Sequence, residues 1–454
     1  MVNNNSKWSV VSGKWFIKHC KWLGLLIFAT AYSLLPTPCL YGYSLIGVNN
    51  YGDIVSGFSA RSIGMGSVEI TAANDSSALA SNPAAMLNTT ARRLIVSASP
   101  VYNVFEEQVN GPSGSYTNYN SMKLNIGGAA SYLHYGGSDL FNRIIIGIHT
   151  QPVTDTAYRD SKKIYWSPGV LLYDRTLDYS GGMNETDIGL GLEVIKEIYL
   201  GFAYGIYSGE SPYKYNYITY NNNAVKSIYN SETNTTYDGS SMKYGLILTK
   251  LDYSFGAFFQ PASIVTAKTS GTAFTYSDTT DAWTTTTDNY EVESKLPEKF
   301  GFGFSYRFKD KYRTLFAVDY VRQSWNAFTS TTTLRNGAVV GTRKEYQEGY
   351  GRTQEIKVGF QHWLNDWIPV RYGFRLQQFY KEWNNTIGNF YNGTDMVKKE
   401  KPAFYCVSLG SGYVVGYFDF DFGYEFGKRS YTNQTDQRYD DFLQKYAFTA
   451  RWRW

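Results

Sequence analysis

Residues Phe418 to Phe426 read Phe-Asp-Phe-Asp-Phe-Gly-Tyr-Glu-Phe. Every even position is aromatic, and the odd positions carry Asp419, Asp421, Gly423 and Glu425. A period of two belongs to a strand, because successive side chains leave a strand on opposite faces. Aromatics on one face and carboxylates on the other require an apolar medium outside and water or counter-charge inside. A soluble sandwich would bury the aromatic face against a second sheet. A propeller would show a blade-length repeat, which this sequence lacks.

The pattern recurs on both sides of that stretch. Phe300, Phe302, Phe304, Tyr306 and Phe308 alternate with Gly301, Gly303, Ser305 and Arg307. The chain ends on Phe442, Tyr446, Phe448, Trp452 and Trp454, opposite Lys445, Thr449, Arg451 and Arg453. Strand-like segments lie near 92–104, 121–133, 143–151, 184–195, 198–209, 241–250, 252–261, 299–308, 312–323, 352–362, 369–380, 403–413, 415–427 and 442–454. That makes fourteen. Lys163 to Tyr173 also reads as apolar, but Pro168-Gly169 in its middle predicts a folded loop.

The connections alternate in length. Gly136 to Asp139, Lys196-Glu197, Lys250-Leu251, Lys309 to Lys311, Asn365-Asp366 and Ser411-Gly412 read as short turns. The links at 105–120, 152–183, 210–240, 262–298, 324–351, 381–402 and 428–441 are long and polar. Tight turns on one rim and large loops on the other are the layout of an outer-membrane barrel. The sequence therefore predicts an all-β fold, a 14-stranded antiparallel transmembrane β-barrel over residues 92–454.

Composition agrees. Of the 454 residues 41 are Tyr, aromatics make up 17%, and mean hydropathy is only −0.35. That profile suits a wall in which every second residue meets lipid, and it does not suit stacked apolar helices.

Residues 1–42 read as a cleaved export signal. Lys7, Lys14, Lys18 and Lys21 precede the apolar run Trp22 to Leu35, and Pro36 and Pro38 follow. The whole chain has 43 Lys+Arg against 39 Asp+Glu, and the signal carries four of those bases and no acid. The mature chain is thus electrically balanced, which gives no support for nucleic-acid binding. Cys20 and Cys39 fall in the signal, so Cys406 stands alone and no disulfide framework is expected. His134, His149 and His362 lack metal-site spacing, and no nucleophile elbow occurs. No cofactor, metal site or catalytic residue is expected.

Residues 43–91 break the period-two pattern. Phe58 to Met86 is rich in Gly, Ala and Ser, with small side chains that suit a narrow space. Asn74 or Asp75 can cap a short helix starting at Ser76, and Pro83 stops it from running through. A fourteen-stranded wall encloses a lumen too wide for its own side chains to fill. This segment is therefore expected to be a hatch, a plug inside the lumen.

Three motifs here resemble the FadL/TodX-type outer-membrane transporters: Ala60 to Gly66, Asn74 to Leu79, and Asn82-Pro83-Ala84. Leu296 to Gly303, Val370 to Arg375 and Val407 to Tyr413 are similar patches further along. The resemblance places a hatch motif on Gly64, Gly66, Asn82, Pro83 and Ala84. It implies a monomeric barrel, set among outer-membrane lipids by the barrel-assembly machinery, that passes long-chain fatty acids or other hydrophobic molecules. It also implies ligand capture near the outer loops, a deeper pocket, a hatch rearrangement and a lateral opening. That opening would fall in the third strand, Arg143 to Gln151, with Gly147 and Pro152 weakening the pairing. The long loops depart from expectation, being rich in Thr, Asn and Tyr. They keep open two other readings: a docking or shuttle component of a secretion system, and a surface adhesin.

Alternation also predicts charges on the lumen face: Arg307, Asp319, Lys357, Arg371, Arg375, Asp419, Asp421, Glu425, Lys445, Arg451 and Arg453. Ion pairing between neighbouring strands is the cheaper use of such a set. The alternative is bidentate contact of Arg371 or Arg375 with a ligand carboxylate.

Overall fold

A computed structural model describes residues 53–89, 94–110, 116–133, 142–167, 169–334, 339–344, 351–380, 383–387, 396–432 and 438–454. The signal, the first ten residues of the hatch segment, the turn Gly136 to Asp139, His134 and Pro168 lie outside them. The wall is a closed antiparallel barrel. Its fourteen strands are β1 Leu94–Asn110, β2 Tyr116–Leu133, β3 Arg143–Pro152, β4 Gly182–Ile195, β5 Ile198–Asn221, β6 Ala224–Lys250 and β7 Tyr253–Gln260, then β8 Lys299–Arg307, β9 Leu315–Ser324, β10 Arg352–Trp363, β11 Pro369–Gln378, β12 Ala403–Val415, β13 Phe418–Thr432 and β14 Arg438–Arg453. Each pairs with the next, and β14 closes on β1 from Ile95↔Arg453 to Asn110↔Arg438.

The alternation read from Phe418 to Phe426 holds in space. Phe422 is 50% exposed on the outside, while Asp419, Asp421 and Glu425 are buried inside. Leu409, Val407 and Phe302 continue the apolar outer face on β12 and β8. Among the described residues no helix is long and apolar enough to cross a membrane.

Several boundaries move. The turn placed at Ser411-Gly412 lies at Gly416-Tyr417 instead, with Gly416 at φ +57. Positive φ is cheap only for glycine, and the β12–β13 ladder runs unbroken through Ser411↔Phe422 and Gly412↔Asp421. The turn at Lys309 to Lys311 widens to 308–314.

The long links are the larger correction. The link at 210–240 is strand nearly throughout: β5 and β6 continue outward and meet at Asn222-Asn223. Their φ values of +49 and +66 match a type I′ hairpin turn, the hand that suits twisted strands. Hairpins 158–179, 263–296 and 329–344 flank this extension, so the outer loops form a sheet standing on the barrel. Lys163 to Tyr173 lies in the first of these hairpins and turns at Gly169, φ +85. A hairpin adds two strands at once, so the wall count stays even.

Candidate functional site

The hatch occupies the half of the lumen nearest the short turns. Its local structure is set by caps. Ser59 accepts from Ser62 N at the start of α1, Ala60–Gly64. Asp75 accepts from Ser77 N to open the 3-10 turn Ser76–Ala80, as its sequence suggested. Asn82 caps Pro83–Asn88, with Pro83 at the first position, where no N–H is needed. The Asn82 carboxamide does three things: its Oδ1 accepts from Ala84 N at 3.2 Å, and its Nδ2 donates to Ile70 O at 2.9 Å and to Leu246 O of β6 at 3.3 Å. The motif therefore closes a turn, ties the hatch to itself and ties it to the wall.

Glycines let the two backbones meet. Gly66 holds φ +69, and a Cβ there would sit 2.6 Å from Val358 O. A Cβ on Gly64 would lie 2.9 Å from Gly410 Cα. The wall reciprocates: side chains at Gly201, Gly245, Gly359, Gly373 or Gly423 would strike hatch backbone or the Asn82 side chain. Lumen-facing glycines of this kind occur on eleven of the fourteen strands, missing only β1, β9 and β14. Gly147 is one of them. It lies inside an unbroken ladder, paired with Ala129 and Gly189, and its Cβ would meet Met86 Sδ. It is thus a seat for the hatch and not a weak point in the wall.

Polar bonds complete the seating. Asp319 of β9 accepts from Glu69 N at 2.6 Å and Ile70 N at 3.0 Å. Thr449 accepts from Ala60 N at 2.8 Å, and Arg143 donates to Leu87 O and Thr89 O. Burial pushes the Glu69 carboxyl of the hatch up, against the opposing pull of Lys357 and a hydrogen bond from Ser62.

The charges expected on the lumen face are mostly there, and they are engaged. Arg371 pairs with Asp421 at 2.7 Å and donates to Gln361 at 2.9 Å. Arg375 pairs with Glu425 at 2.6 Å and donates to Cys406 Sγ at 3.2 Å. Asp419 holds Arg451 at 2.6 Å and Arg453 at 2.7 Å, and Arg451 reaches Asp75 of the hatch at 3.6 Å. Lys445 pairs with Glu425 at 3.2 Å, and Lys357 with Glu355 at 3.2 Å. Arg307 is the exception: it ends β8 at the turn rim and is exposed, outside the network. His149 is buried against Ser76 of the hatch at 3.2 Å, and His362 bonds Thr314 and Tyr372.

Above the hatch the lumen is thin and cavitated. Residues 53–57 cross it as a crossbar held at both ends. Asp53 pairs with Arg429 at 3.0 Å, Ser56 donates to Glu355 at 2.6 Å, and Ser56 O accepts from Lys445 at 3.0 Å. Asp53–Ile54 also forms a short antiparallel pair with Thr154–Asp155. Among the described residues, three cavities open in part to solvent are each lined by crossbar residues. The largest is walled by Phe58, Val153, Tyr207, Leu296 and Trp325, and Lys299 faces it. The Lys299 ammonium sits 5.9 Å from the Phe258 ring and has no ion pair or hydrogen bond among the described residues. Around these spaces lies an aromatic cluster that includes Trp325, Phe379, Tyr380 and Tyr431, with Trp325 stacked on Tyr380 at 4.4 Å.

Among the described residues, the wall opens at a seam between β2 and β3. The β2–β3 ladder stops at Ile126↔Thr150, although β2 continues outward to Tyr116. At Pro152 the chain leaves the wall and turns inward through Val153, whose N–H donates to Met183 O at 2.8 Å. It then pairs with the crossbar and rejoins the outer sheet at Tyr158. The third strand thus ends at Pro152, and the smallest of the three cavities lies behind it, lined by Pro152, Lys123 and Asn125.

The fold is a closed fourteen-stranded antiparallel barrel with residues 53–89 packed inside it. No family model and no curated protein matches the sequence. Solved structures do match the fold. A FadL homologue from Pseudomonas aeruginosa superposes with TM-score 0.60 at 14% identity, over 88% of this chain and 99% of that one. The Pseudomonas putida toluene transporter TodX gives 0.58 at 11% identity, over 89% and 100%. The Ralstonia pickettii toluene transporter TbuX gives 0.55 at 13% identity, over 87% and 99%. The chain therefore has the fold of the FadL- and TodX-type transporters, as the motifs around Asn82 implied.

Proposed function

We propose that this chain is an outer-membrane channel that takes up hydrophobic small molecules passively, long-chain fatty acids first among them, as a monomer. The observation that carries the reading is the cavity above the hatch, which Phe58, Tyr207, Leu296 and Trp325 help to wall, with one unpaired ammonium facing it. An acyl chain or ring would lie against Phe58, Leu296 and Trp325, and an acid group would meet Lys299. A charge-assisted bond in so dry a space is stronger than the same bond in water. Arg371 and Arg375, the arginines first considered for that role, already hold carboxylates of the wall.

The route follows from what is and is not packed. The hatch proper, 60–89, is seated on the wall by backbone contact and offers no passage. The crossbar is held by side chains and by a short backbone pairing with 153–155, and it lines the three cavities described, so its displacement would join them and lead to the seam at Pro152. A ligand can drive that shift only if it binds the open arrangement better. Gating is accordingly assigned to 53–57, with the hatch as floor and the lateral opening at Pro152. The test is uptake of radiolabelled oleate and toluene by cells expressing the full chain. A variant with Val55 and Val153 replaced by cysteines and cross-linked should take up neither. Undiminished uptake of both in the cross-linked protein would refute gating by the crossbar.

A further inference from the structure

We propose that Lys123 and Asp155 form the latch that holds the seam shut and thereby determine when ligand leaves the wall. The proposal rests on the reading that ligand exits through the seam.

Elsewhere around the barrel, neighbouring wall strands are joined by backbone ladders. Parting any of those pairs would break many hydrogen bonds together, each costly to leave unmade in an apolar surrounding. The seam has no such ladder beyond Ile126↔Thr150. Side chains hold it instead. Lys123 Nζ lies 3.2 Å from Asp155 Oδ1 and donates to Gly181 O at 3.0 Å. Ser121 Oγ donates to Asp155 Oδ2 at 3.2 Å. Lys123 and Ser121 belong to β2, whereas Asp155 and Gly181 belong to chain beyond the break, so every one of these bonds crosses the seam.

The surroundings leave the pair to itself. Asp155 is fully buried and also accepts from Ala157 N at 3.0 Å. Its neighbour across the crossbar pairing, Asp53, has its carboxylate on Arg429. Lys445 lines the same small cavity, but is committed to Glu425 and Ser56 O. Leu124 and Ile126 on the same strand face outward, 54% and 47% exposed, which turns Lys123 toward the lumen. A ligand passing from the small cavity to the lipid must part Lys123 from Asp155. A buried carboxylate deprived of its cation is strongly disfavoured. The contact therefore favours two states, latched or fully parted, and specifies a gate.

The experiment measures initial uptake of radiolabelled oleate by cells expressing the full chain, with heat-modifiable migration as the check on folding. Asp155→Asn and Lys123→Met should each raise the rate roughly three- to tenfold, the effect of one lost charged hydrogen bond. Lys123→Gln, which keeps a donor near Gly181 without the charge, serves if Lys123→Met does not fold. The exchange Lys123→Asp with Asp155→Lys should return the rate toward that of the parent. Ser121→Cys with Asp155→Cys, bridged by a short reducible cross-linker, should abolish uptake until reductant is added. If bridging blocks uptake but the single variants run at the parental rate, the latch is overturned and the seam remains the exit. If bridging leaves uptake unchanged, the exit lies elsewhere and the reading beneath the proposal fails with it.

Discussion

The two halves of the lumen are filled in opposite ways. Nearest the short turns, the hatch lies backbone to backbone on a belt of glycines, with Asp319, Thr449 and Asn82 bonding across the joint. Nearest the outer sheet, the crossbar 53–57 is bordered by cavities and is fixed by one ion pair, side-chain hydrogen bonds at its ends and a short backbone pairing with 153–155. Close packing transmits strain and resists displacement, because any shift creates a void or a clash. A segment that touches the wall at a few polar points has few contacts to lose. The contrast teaches that a plug need not be a gate. Here the bulky part of the N-terminal segment is the closely packed floor, and the proposed gate is the thin part before it.

The strongest way to break this comparison is to damage the floor. Arg371→Met would leave buried Asp421 with only the longer contact to Arg451 at 3.8 Å, and losing a partner of a buried ion pair costs up to about 3–5 kcal/mol. The expected outcome is a barrel that unfolds at clearly lower urea concentration, read by heat-modifiable migration. An unchanged midpoint would mean that the charge network does not hold the floor. A smaller effect is expected from Gly201→Ala, whose added methyl points at Ala84 N of the hatch. Overpacking of this kind costs about 1–3 kcal/mol. The same change at Gly416, where nothing lies within 4 Å of the added atom, tests the turn's positive φ and leaves the hatch untouched.

The upper half should respond in binding and leave stability alone. Lys299→Met is expected to weaken binding of a hydrophobic carboxylate about tenfold, the value of one charge-assisted bond, while a matching alcohol binds as before. Equal losses for acid and alcohol, by calorimetry in detergent, would argue that Lys299 acts through packing. The smallest effect belongs to Arg307→Gln. That side chain is exposed at the turn rim, so stability should stay within about 0.5 kcal/mol and uptake should be unaltered.

Much of the wall was legible because each strand reports its own environment. Phe418 to Phe426 shows two faces in nine residues, and the same logic located all fourteen wall strands. The hatch caps were legible for a similar reason: Asp75 and Asn82 bond within two residues of themselves. The glycine belt was visible but unread. Gly301, Gly303 and Gly423 stood at lumen-facing positions between aromatics, a signal that something large presses against that face. The outer sheet was missed because its Thr, Asn and Tyr composition reads as loop, while strand pairing depends on a partner.

From the sequence alone came the fold class, the even strand count, the two faces of each strand and the place of the plug. All of these are encoded within a few residues by period, caps and punctuation. The crossbar, the cavities it borders and the free ammonium of Lys299 were settled only by the tertiary structure. The physical reason is distance along the chain. Asp53 meets a partner 376 residues away, and Ser56 one 299 residues away. Whether a charge is paired or free is a property of what the closed barrel brings beside it. Arg371 reads as a lumen-side cation from alternation and Lys299 carries no such mark, and only closure of the wall placed Asp421 against the first and a cavity against the second.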